Sequence, residues 1–256
     1  MDKDDKAQGD KAQPENIWDT HAQWWQETFT NGVDPEYEEQ ILPMVRAHLS
    51  GAQDILDIGC GEGQVCRLAE TLDPAPKTIV GIDGSAAQLE IAEQRGGSPR
   101  FVLGDAGDLP FEPESFDAAV SVLVLEHIEN LDSVISEAAR VLRPGGRLLC
   151  LLNHPLLQTP GSGWIDDHIL DEQYWRIGAY LAEETSMEEV EPGVVLPFVH
   201  RPLSAYVNLL AKNGLFLTDM QEPPPPAGFI SRAAEYENAA TIPRLLFLRA
   251  EKFQLS

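Results

Sequence analysis

A glycine-rich turn directly after an apolar strand is the feature that most constrains this chain. The segment "ILDIGCGEGQVCRLA" runs from the β-prone residues 55–58 through Gly59, Gly61 and Gly63 into an amphipathic helix. Glycine lets the backbone turn sharply and lets a ligand approach closely. The free N–H groups and the positive dipole end of the helix favour an anionic group. The turn therefore predicts a site for a nucleotide or a carboxylate.

The spacing of the glycines separates two kinds of nucleotide site. A dinucleotide fingerprint has glycines at its first, third and sixth positions. Here Gln64 holds the sixth position, and the third glycine is Gly63. Asp57 lies inside the strand end, where it suits a ligand that carries an ammonium group. A nicotinamide-dependent oxidoreductase is therefore the less favoured alternative.

From residue 54 onwards, short apolar runs alternate with longer amphipathic segments. This alternation predicts an α/β fold with a mostly parallel sheet and helices on both faces. The predicted strands are Ile55–Ile58, Thr78–Ile82, Phe101–Leu103, Ala118–Val122, Arg147–Leu152, Leu215–Met220 and Arg244–Ala250. The predicted helices are Gln64–Thr71, Ala86–Gln94, Leu131–Leu142 and Leu203–Asn213. The last two strands follow each other like a hairpin, which predicts an antiparallel C-terminal edge strand.

Several motifs follow one another along the central part of the chain. Asp57-x-Gly59-x-Gly61-x-Gly63 is followed by "VGIDGSAAQLEIA", "VLGDAGDLPFEPESFDAAVS", "LEHIEN" and "RVLRPGGRLL". In this order they resemble the motifs of class I S-adenosylmethionine-dependent methyltransferases. The resemblance covers about residues 53–153 and extends weakly to the C-terminal strands. It implies a Rossmann-like seven-stranded fold, S-adenosylmethionine as cofactor and S-adenosylhomocysteine as its product.

The resemblance also implies a set of cofactor-binding residues. Asp57 is expected to hold the ammonium end, Asp83 to accept hydrogen bonds from the ribose hydroxyls, and Asp105 with the backbone N–H of Ala106 to hold the adenine edge. The full set is Asp57, Gly59, Cys60, Gly61, Asp83, Gly84, Gln88, Asp105, Ala106 and Val122. The three aspartates could instead be helix-cap or turn residues. For Gln88, a solvated helix residue is the favoured alternative to a cofactor contact.

Two histidines are the candidate bases for methyl transfer. Transfer from a sulfonium requires alignment of acceptor, methyl carbon and sulfur, and a hydroxyl acceptor also needs a base. His127 follows the predicted fourth strand, and His154 follows the fifth, where we expect it to point into the cleft. A histidine suits this role because its unperturbed pKa is about 6.5. Either could instead be a structural histidine, and His200 is a weaker third candidate.

Residues 154–201 show no clear periodicity and are rich in acidic residues. A stretch of this length is usually functional or structured in ways that periodicity misses, so we expect a lid over the acceptor. Its aromatic residues could line an acceptor pocket or pack the lid; they are Trp164, Tyr174 and Trp175. A divalent cation at Asp166, Asp167 or His168 is less favoured than solvated charges. We therefore predict no metal.

The domain organisation follows from these segments. The charged residues 1–15 predict a disordered tail. Residues 16–50 predict an N-terminal helical cover, with Trp18, Trp25 and Phe29 at helical spacing. Residues 51–256 form the predicted methyltransferase domain, which includes the lid.

Composition narrows the partners. The formal net charge is −24, which disfavours nucleic acid and anionic membranes. Apolar runs are too short to span a bilayer. Three cysteines without a paired motif indicate a reduced, cytoplasmic protein.

A small-molecule acceptor is the resulting hypothesis. The motif "NPPY", typical of many enzymes that methylate nucleic-acid amino groups, is absent after the fourth predicted strand, where "SVLVLEH" stands. A hydroxyl on a sugar or secondary metabolite is the favoured target. The alternatives are N- or C-methylation of a small metabolite and a non-catalytic domain that binds S-adenosylmethionine.

Overall fold

The computed structural model describes residues 16–233 and 238–253. The predicted disordered tail, 1–15, lies outside this range. The first described segment is helical, with α1 (Ile17–Thr20), α2 (Ala22–Phe29), a π-helical turn (Tyr37–Ile41) and α3 (Leu42–Leu49). The side chain of Asn16 caps α1, because its Oδ1 accepts the backbone N–H of Trp18. These helices occupy the region that we expect to be a cover.

Strands and helices then alternate, as the sequence pattern predicts. The strands of the described chain are β1 (Asp54–Ile58), β2 (Thr78–Asp83), β3 (Arg100–Leu103), β4 (Phe116–Val122), β5 (Leu142–Asn153), β6 (Gly163–Asp167), β7 (Glu172–Arg176), β8 (Glu184–Glu191), β9 (Val194–His200), β10 (Leu215–Gln221) and β11 (Leu245–Lys252). The remaining helices are α4 (Gln64–Glu70), α5 (Ala86–Arg95), α6 (Leu131–Val141), α7 (Leu203–Lys212) and α8 (Ala227–Arg232).

The central sheet confirms the predicted fold class. Its seven strands have the order β10-β11-β5-β4-β1-β2-β3. Strands β1 to β5 pair in parallel, whereas β11 is antiparallel to both β5 and β10. Successive residues of a strand face opposite sides of a sheet. Leu56 and Ile58 therefore pack with α6 and α7, and Ile55 packs on the other face with α3 and α4.

Strand β5 begins five residues earlier than the sequence predicts. Residues 143–146, "RPGG", fall between the predicted helix and the predicted strand but belong to β5 in the structure. In the structure Leu142 already pairs with Phe116, and the register then shifts so that Arg147 pairs with Ala118. Gly145 has a φ of +79°, which absorbs this irregularity.

The stretch without clear periodicity consists mainly of two antiparallel hairpins. One joins β6 and β7, and the other joins β8 and β9. The β8–β9 hairpin packs on the N-terminal helices, because Leu196 and Phe198 contact Trp18 and Trp24. Within residues 16–233 and 238–253, no helix is both long and apolar enough to cross a bilayer.

Burial on β11 is expected to contribute strongly to stability. Phe247 is fully buried, whereas Phe216 on β10 is 39% exposed. Phe247→Ala should lower the free energy of unfolding by about 3–5 kcal/mol, because it removes a fully packed ring and leaves a cavity. Phe216→Ala is the matched control and should cost less, about 1–2 kcal/mol, because its ring is already partly exposed. Urea denaturation of both variants checks the difference, and equal losses would contradict the assigned core.

Candidate functional site

A cavity of about 480 Å³ lies at the carboxyl ends of the parallel strands. The strand order reverses between β1 and β4, and this switch point is where open α/β sheets bind ligands. Each loop that follows β1, β2, β3 or β4 contributes to the wall. All ten residues that the sequence predicts for cofactor binding line this one cavity.

The glycine turn after β1 forms the floor of the cavity. Gly59 has a φ of +73°, and a Cβ atom there would lie 2.4 Å from the Val124 side chain. Both reasons require glycine. The N–H groups of Gly59 and Cys60 donate to the carbonyl of Ile82 at 2.8 and 3.0 Å, and that of Gly61 donates to the Asp83 carboxylate at 2.7 Å. These three N–H groups hold the turn against β2, so the expectation that the turn offers them to a ligand is wrong.

Asp57 ends β1 as a buried carboxyl group. It is 2% exposed, and its Oδ2 accepts the Cys66 thiol at 3.3 Å. Burial raises the pKa of Asp57 to about 7, and the nearby carboxylates of Asp83 and Glu62 add to the shift. A ligand ammonium group would supply the missing positive charge.

Asp83 and Asp105 combine turn-stabilising and cavity-facing roles. The oxygens of Asp83 accept the N–H groups of Gly61 and Ser85 at 2.7 and 2.8 Å. Each oxygen keeps a second lone pair, which leaves room for a ribose hydroxyl. Burial raises the pKa of Asp83. Asp105 is exposed and accepts the N–H of Gly107 at 2.8 Å.

Glu62 is a cavity residue that the sequence analysis missed. It is 1% exposed and forms ion pairs through Oε2 with Arg67 and Arg95. Its Oε1 is buried and has no hydrogen-bond partner among the described residues. Its position between Gly61 and Gly63 in the turn was the sequence signal that could have identified it. An orphaned acceptor beside Asp57 fits the ammonium end of S-adenosylmethionine.

The N-terminal helices close the cavity from above. Trp18, Trp25 and Tyr37 line it. The side-chain amide of Asn16 donates to the carbonyl of Gly84 at 2.6 Å. A carboxylate oxygen of Asp19 accepts the Ser85 hydroxyl at 2.6 Å and the N–H of Ala87 at 3.0 Å. The helices are therefore attached to the same β2 loop that faces the predicted ribose position.

Gln88 on α5 is not a solvated helix residue. It is 3% exposed and lines the cavity. Its side-chain oxygen accepts a hydrogen bond from Gln26 at 3.0 Å. This contact adds a further link between α5 and the N-terminal helices.

His127 lies at the cavity, at the end of a 3₁₀ turn (Leu125–His127). Its Nδ1 donates to the carbonyl of Pro197 on β9 at 2.7 Å, so Nε2 carries the free lone pair. Burial lowers the pKa of His127 to about 4. The imidazole is therefore neutral at physiological pH and can accept a hydrogen bond.

His154 does not point into the cleft, so that expectation is wrong. It is 4% exposed, its Nε2 lies 2.8 Å from Glu222 Oε1, and its Nδ1 accepts the N–H of Leu156 at 3.1 Å. Its backbone N–H donates to the carbonyl of Arg244. His154 does not line the cavity. His200 is also elsewhere, with Nε2 donating to the carbonyl of Tyr180 at 2.8 Å.

The aromatic residues of the β6–β7 hairpin do not reach the cofactor cavity. Trp164 and Trp175 pair edge to face, with ring centroids 5.6 Å apart, and line a separate cavity of about 150 Å³. Tyr174 is 45% exposed.

The acidic residues of this hairpin have local partners. Asp166 accepts Gln173, and Asp167 accepts the N–H groups of Ile169 and Leu170. In the described part of the chain, no group of three or more His, Cys, Asp or Glu side chains is placed to hold a metal ion.

Comparisons with known proteins agree with this geometry. Residues 56–150 match the model of a methyltransferase domain family. An S-adenosylmethionine-dependent methyltransferase from Mesorhizobium loti has a similar structure, with a TM-score of 0.71, 26% identity and coverage of 82% of this chain and 96% of that one.

Two sequence relatives carry more specific names. The demethylmenaquinone methyltransferase of Thermotoga maritima is 33% identical over 47% of this chain and 51% of its own length. The O-methyltransferase cnsE of Penicillium expansum is 32% identical over 55% and 54%. The chain thus spans about half the length of these curated relatives.

Replacement of the buried Asp57 by asparagine is expected to increase stability and to weaken ligand binding. The raised pKa means that this group's contribution to stability falls as the pH rises from about 4 to about 7. Asp57→Asn should raise the free energy of unfolding of the ligand-free protein at pH 8 by on the order of 2–4 kcal/mol. This gain should shrink towards pH 5, where the folded wild type carries a proton on Asp57. The same variant should bind S-adenosylmethionine more than tenfold more weakly. Denaturation at both pH values and calorimetry measure the two effects.

Asp105→Asn is the matched control. It also lines the cavity but is exposed, so its stability should be unchanged at both pH values. Destabilisation of Asp57→Asn at pH 8 would contradict the assignment of an uncompensated buried carboxylate.

Proposed function

We propose that this chain is a class I S-adenosylmethionine-dependent methyltransferase that transfers a methyl group from S-adenosylmethionine to a small molecule. The match of residues 56–150 to a methyltransferase domain family and the structural similarity to the Mesorhizobium loti methyltransferase support this proposal. One observation carries the proposal: ten predicted cofactor residues from separate loops line a single cavity at the switch point of the sheet. Among the described residues, no lysine or arginine lines this cavity. A nucleic-acid acceptor would need such residues for its phosphates, so a small molecule is the favoured acceptor.

In this proposal the chain holds the cofactor through polar groups on successive strand ends. Asp57 and the orphaned oxygen of Glu62 accept the ammonium group, and Asp83 accepts the ribose hydroxyls. Asp105 and the N–H of Ala106 hold the adenine edge. S-adenosylmethionine held in this way would supply an electrophilic methyl group, and an acceptor hydroxyl would release its proton to water.

His127 orients the acceptor. Its tautomer is fixed by the Pro197 carbonyl, so Nε2 can accept the hydrogen bond of a hydroxyl. Alignment of the reacting atoms alone can contribute roughly 7–11 kcal/mol. A neutral imidazole that orients a hydroxyl therefore suffices, and His154 is excluded from this role by its position.

The acceptor atom in our proposal is a hydroxyl oxygen. The similarity to cnsE supports it, as does the free Nε2 of His127. A ring carbon is the second candidate, supported by the similarity to demethylmenaquinone methyltransferase. A domain that binds the cofactor without transfer is the remaining alternative, and turnover with an acceptor distinguishes it.

Calorimetric titration with S-adenosylmethionine, S-adenosylhomocysteine and NAD tests the cofactor. We expect binding of the first two and none of NAD. Asp83→Ala should weaken binding of both by more than tenfold, because it removes the proposed ribose acceptor and a bond to the glycine turn. Binding of NAD alone would overturn the proposal, and an unchanged affinity in Asp83→Ala would overturn the placement of the ribose.

His127→Ala should lower kcat by about 10–100-fold at saturating cofactor, because the acceptor hydroxyl loses its partner. Its affinity for S-adenosylhomocysteine should stay within threefold. The low pKa of His127 also predicts that wild-type kcat shows no histidine titration between pH 6 and 8. His154→Gln, outside the cavity, is the control and should keep kcat within twofold. A normal kcat in His127→Ala would exclude the proposed orienting role.

A further inference from the structure

One wall of the cavity is aromatic and has no role in the proposed cofactor contacts. Trp18 and Trp25 lie edge to face with ring centroids 6.0 Å apart, and Trp25 and Tyr37 do so at 6.4 Å. Trp18 also meets the His127 ring edge to face at 4.9 Å. Ile128 continues the wall. A flat ring can bind against such a surface through stacking and edge contacts.

Charge disfavours an anionic acceptor. The carboxylates of the cavity lie on the strand-end side, at Asp57, Glu62, Asp83 and Asp105. The guanidinium groups of Arg67 and Arg95 are paired with Glu62, and that of Arg201 donates to the backbone carbonyls of Leu125, Ile128 and Glu129. Among the described residues no lysine or arginine lines the cavity, so an anionic acceptor would meet mainly negative charge there.

Charge also disfavours a cationic acceptor. The acceptor must lie next to the sulfonium, which repels a second positive charge at van der Waals distance. His127 is the base within reach, and its imidazole is too weakly basic to remove a proton from an ammonium group. A neutral hydroxyl is not repelled by the sulfonium, and it needs only a hydrogen-bond acceptor rather than a strong base.

We propose that this wall is the acceptor subsite, that it takes an uncharged aromatic ring bearing a hydroxyl, and that Trp18 is its main positioning residue. The inference rests on the proposed methyl transfer and specifies its substrate class. Trp18 is singled out because it contacts both Trp25 and His127. It can therefore set the distance between a ring and the Nε2 that orients its hydroxyl.

Three probes with one ring and different charges test the subsite. These are 1-naphthol, 1-naphthoate and protonated 1-naphthylmethylamine, titrated into the full chain saturated with a non-transferring analogue of S-adenosylmethionine in which a protonated nitrogen replaces the sulfonium. Binding is followed by calorimetry. We expect 1-naphthol to bind at least tenfold more tightly than either charged probe. Equal or tighter binding of a charged probe, or no binding of 1-naphthol, would overturn the proposal.

Variants of Trp18 locate the binding. Trp18→Ala should weaken 1-naphthol binding at least tenfold, with the affinity for S-adenosylhomocysteine within threefold as evidence of an intact fold. Trp18→Phe keeps a flat ring and should retain most of the affinity. Trp164→Phe, in the separate cavity, is the control and should bind as the wild type does. Unchanged 1-naphthol binding in Trp18→Ala would overturn the role of Trp18.

The outcome separates this inference from the proposed function. Methyl transfer to a non-aromatic or charged acceptor, without selective 1-naphthol binding, would overturn the subsite alone. Selective, Trp18-dependent binding of 1-naphthol without methyl transfer to any hydroxylated ring would overturn the proposed reaction and leave the subsite in place.

Discussion

The candidate site depends on a carboxyl group buried at the end of the first strand. Asp57 lies on the sheet face that packs against α4, and a thiol is its side-chain hydrogen-bond donor. Such a group costs stability unless a cation joins it. A few residues later, Glu62 has two arginine partners on Oε2, but its buried Oε1 has no hydrogen-bond partner among the described residues. We infer that these carboxyl groups lower the stability of the ligand-free protein and favour a positively charged ligand, as functional sites commonly do.

The second strand end connects the floor of the cavity to its cover. Asp83 holds Gly61 on one side and the N–H of Ser85 on the other. The Ser85 hydroxyl in turn donates to Asp19 at the end of α1. A continuous series of hydrogen bonds thus joins the glycine turn to the N-terminal helices. The helices that carry Trp18 are therefore positioned by the same loop that faces the proposed ribose.

The sequence predicted the sheet well because its signals are local. Buried parallel strands are continuous apolar runs, and a glycine turn before a helix has a fixed spacing. The position of His154 was not local. A strand end suggested the cleft, but the imidazole of His154 bonds to Glu222, which is far away in the sequence, and to the N–H of Leu156. For the same reason the sequence left open whether Trp164 and Trp175 line the acceptor pocket or pack the lid, since hairpin packing decides which cavity they line.

The aromatic wall that we propose for the acceptor was the hardest part to predict, because segments far apart in the sequence build it. Trp18 comes from α1, Trp25 from α2, Tyr37 from the π-helical turn and His127 from the loop after β4. The tautomer of His127 depends on a further segment, since Pro197 of β9 accepts its Nδ1–H. The β8–β9 hairpin also packs on Trp18 through Phe198. This hairpin does not line the cavity, but it contacts both His127 and Trp18. A displacement of β9 would therefore move the His127 imidazole and the Trp18 indole together, and would change the proposed acceptor site. Selectivity can thus diverge among proteins that share the cofactor loops, since these loops lie on the sheet while the wall lies on segments packed over it.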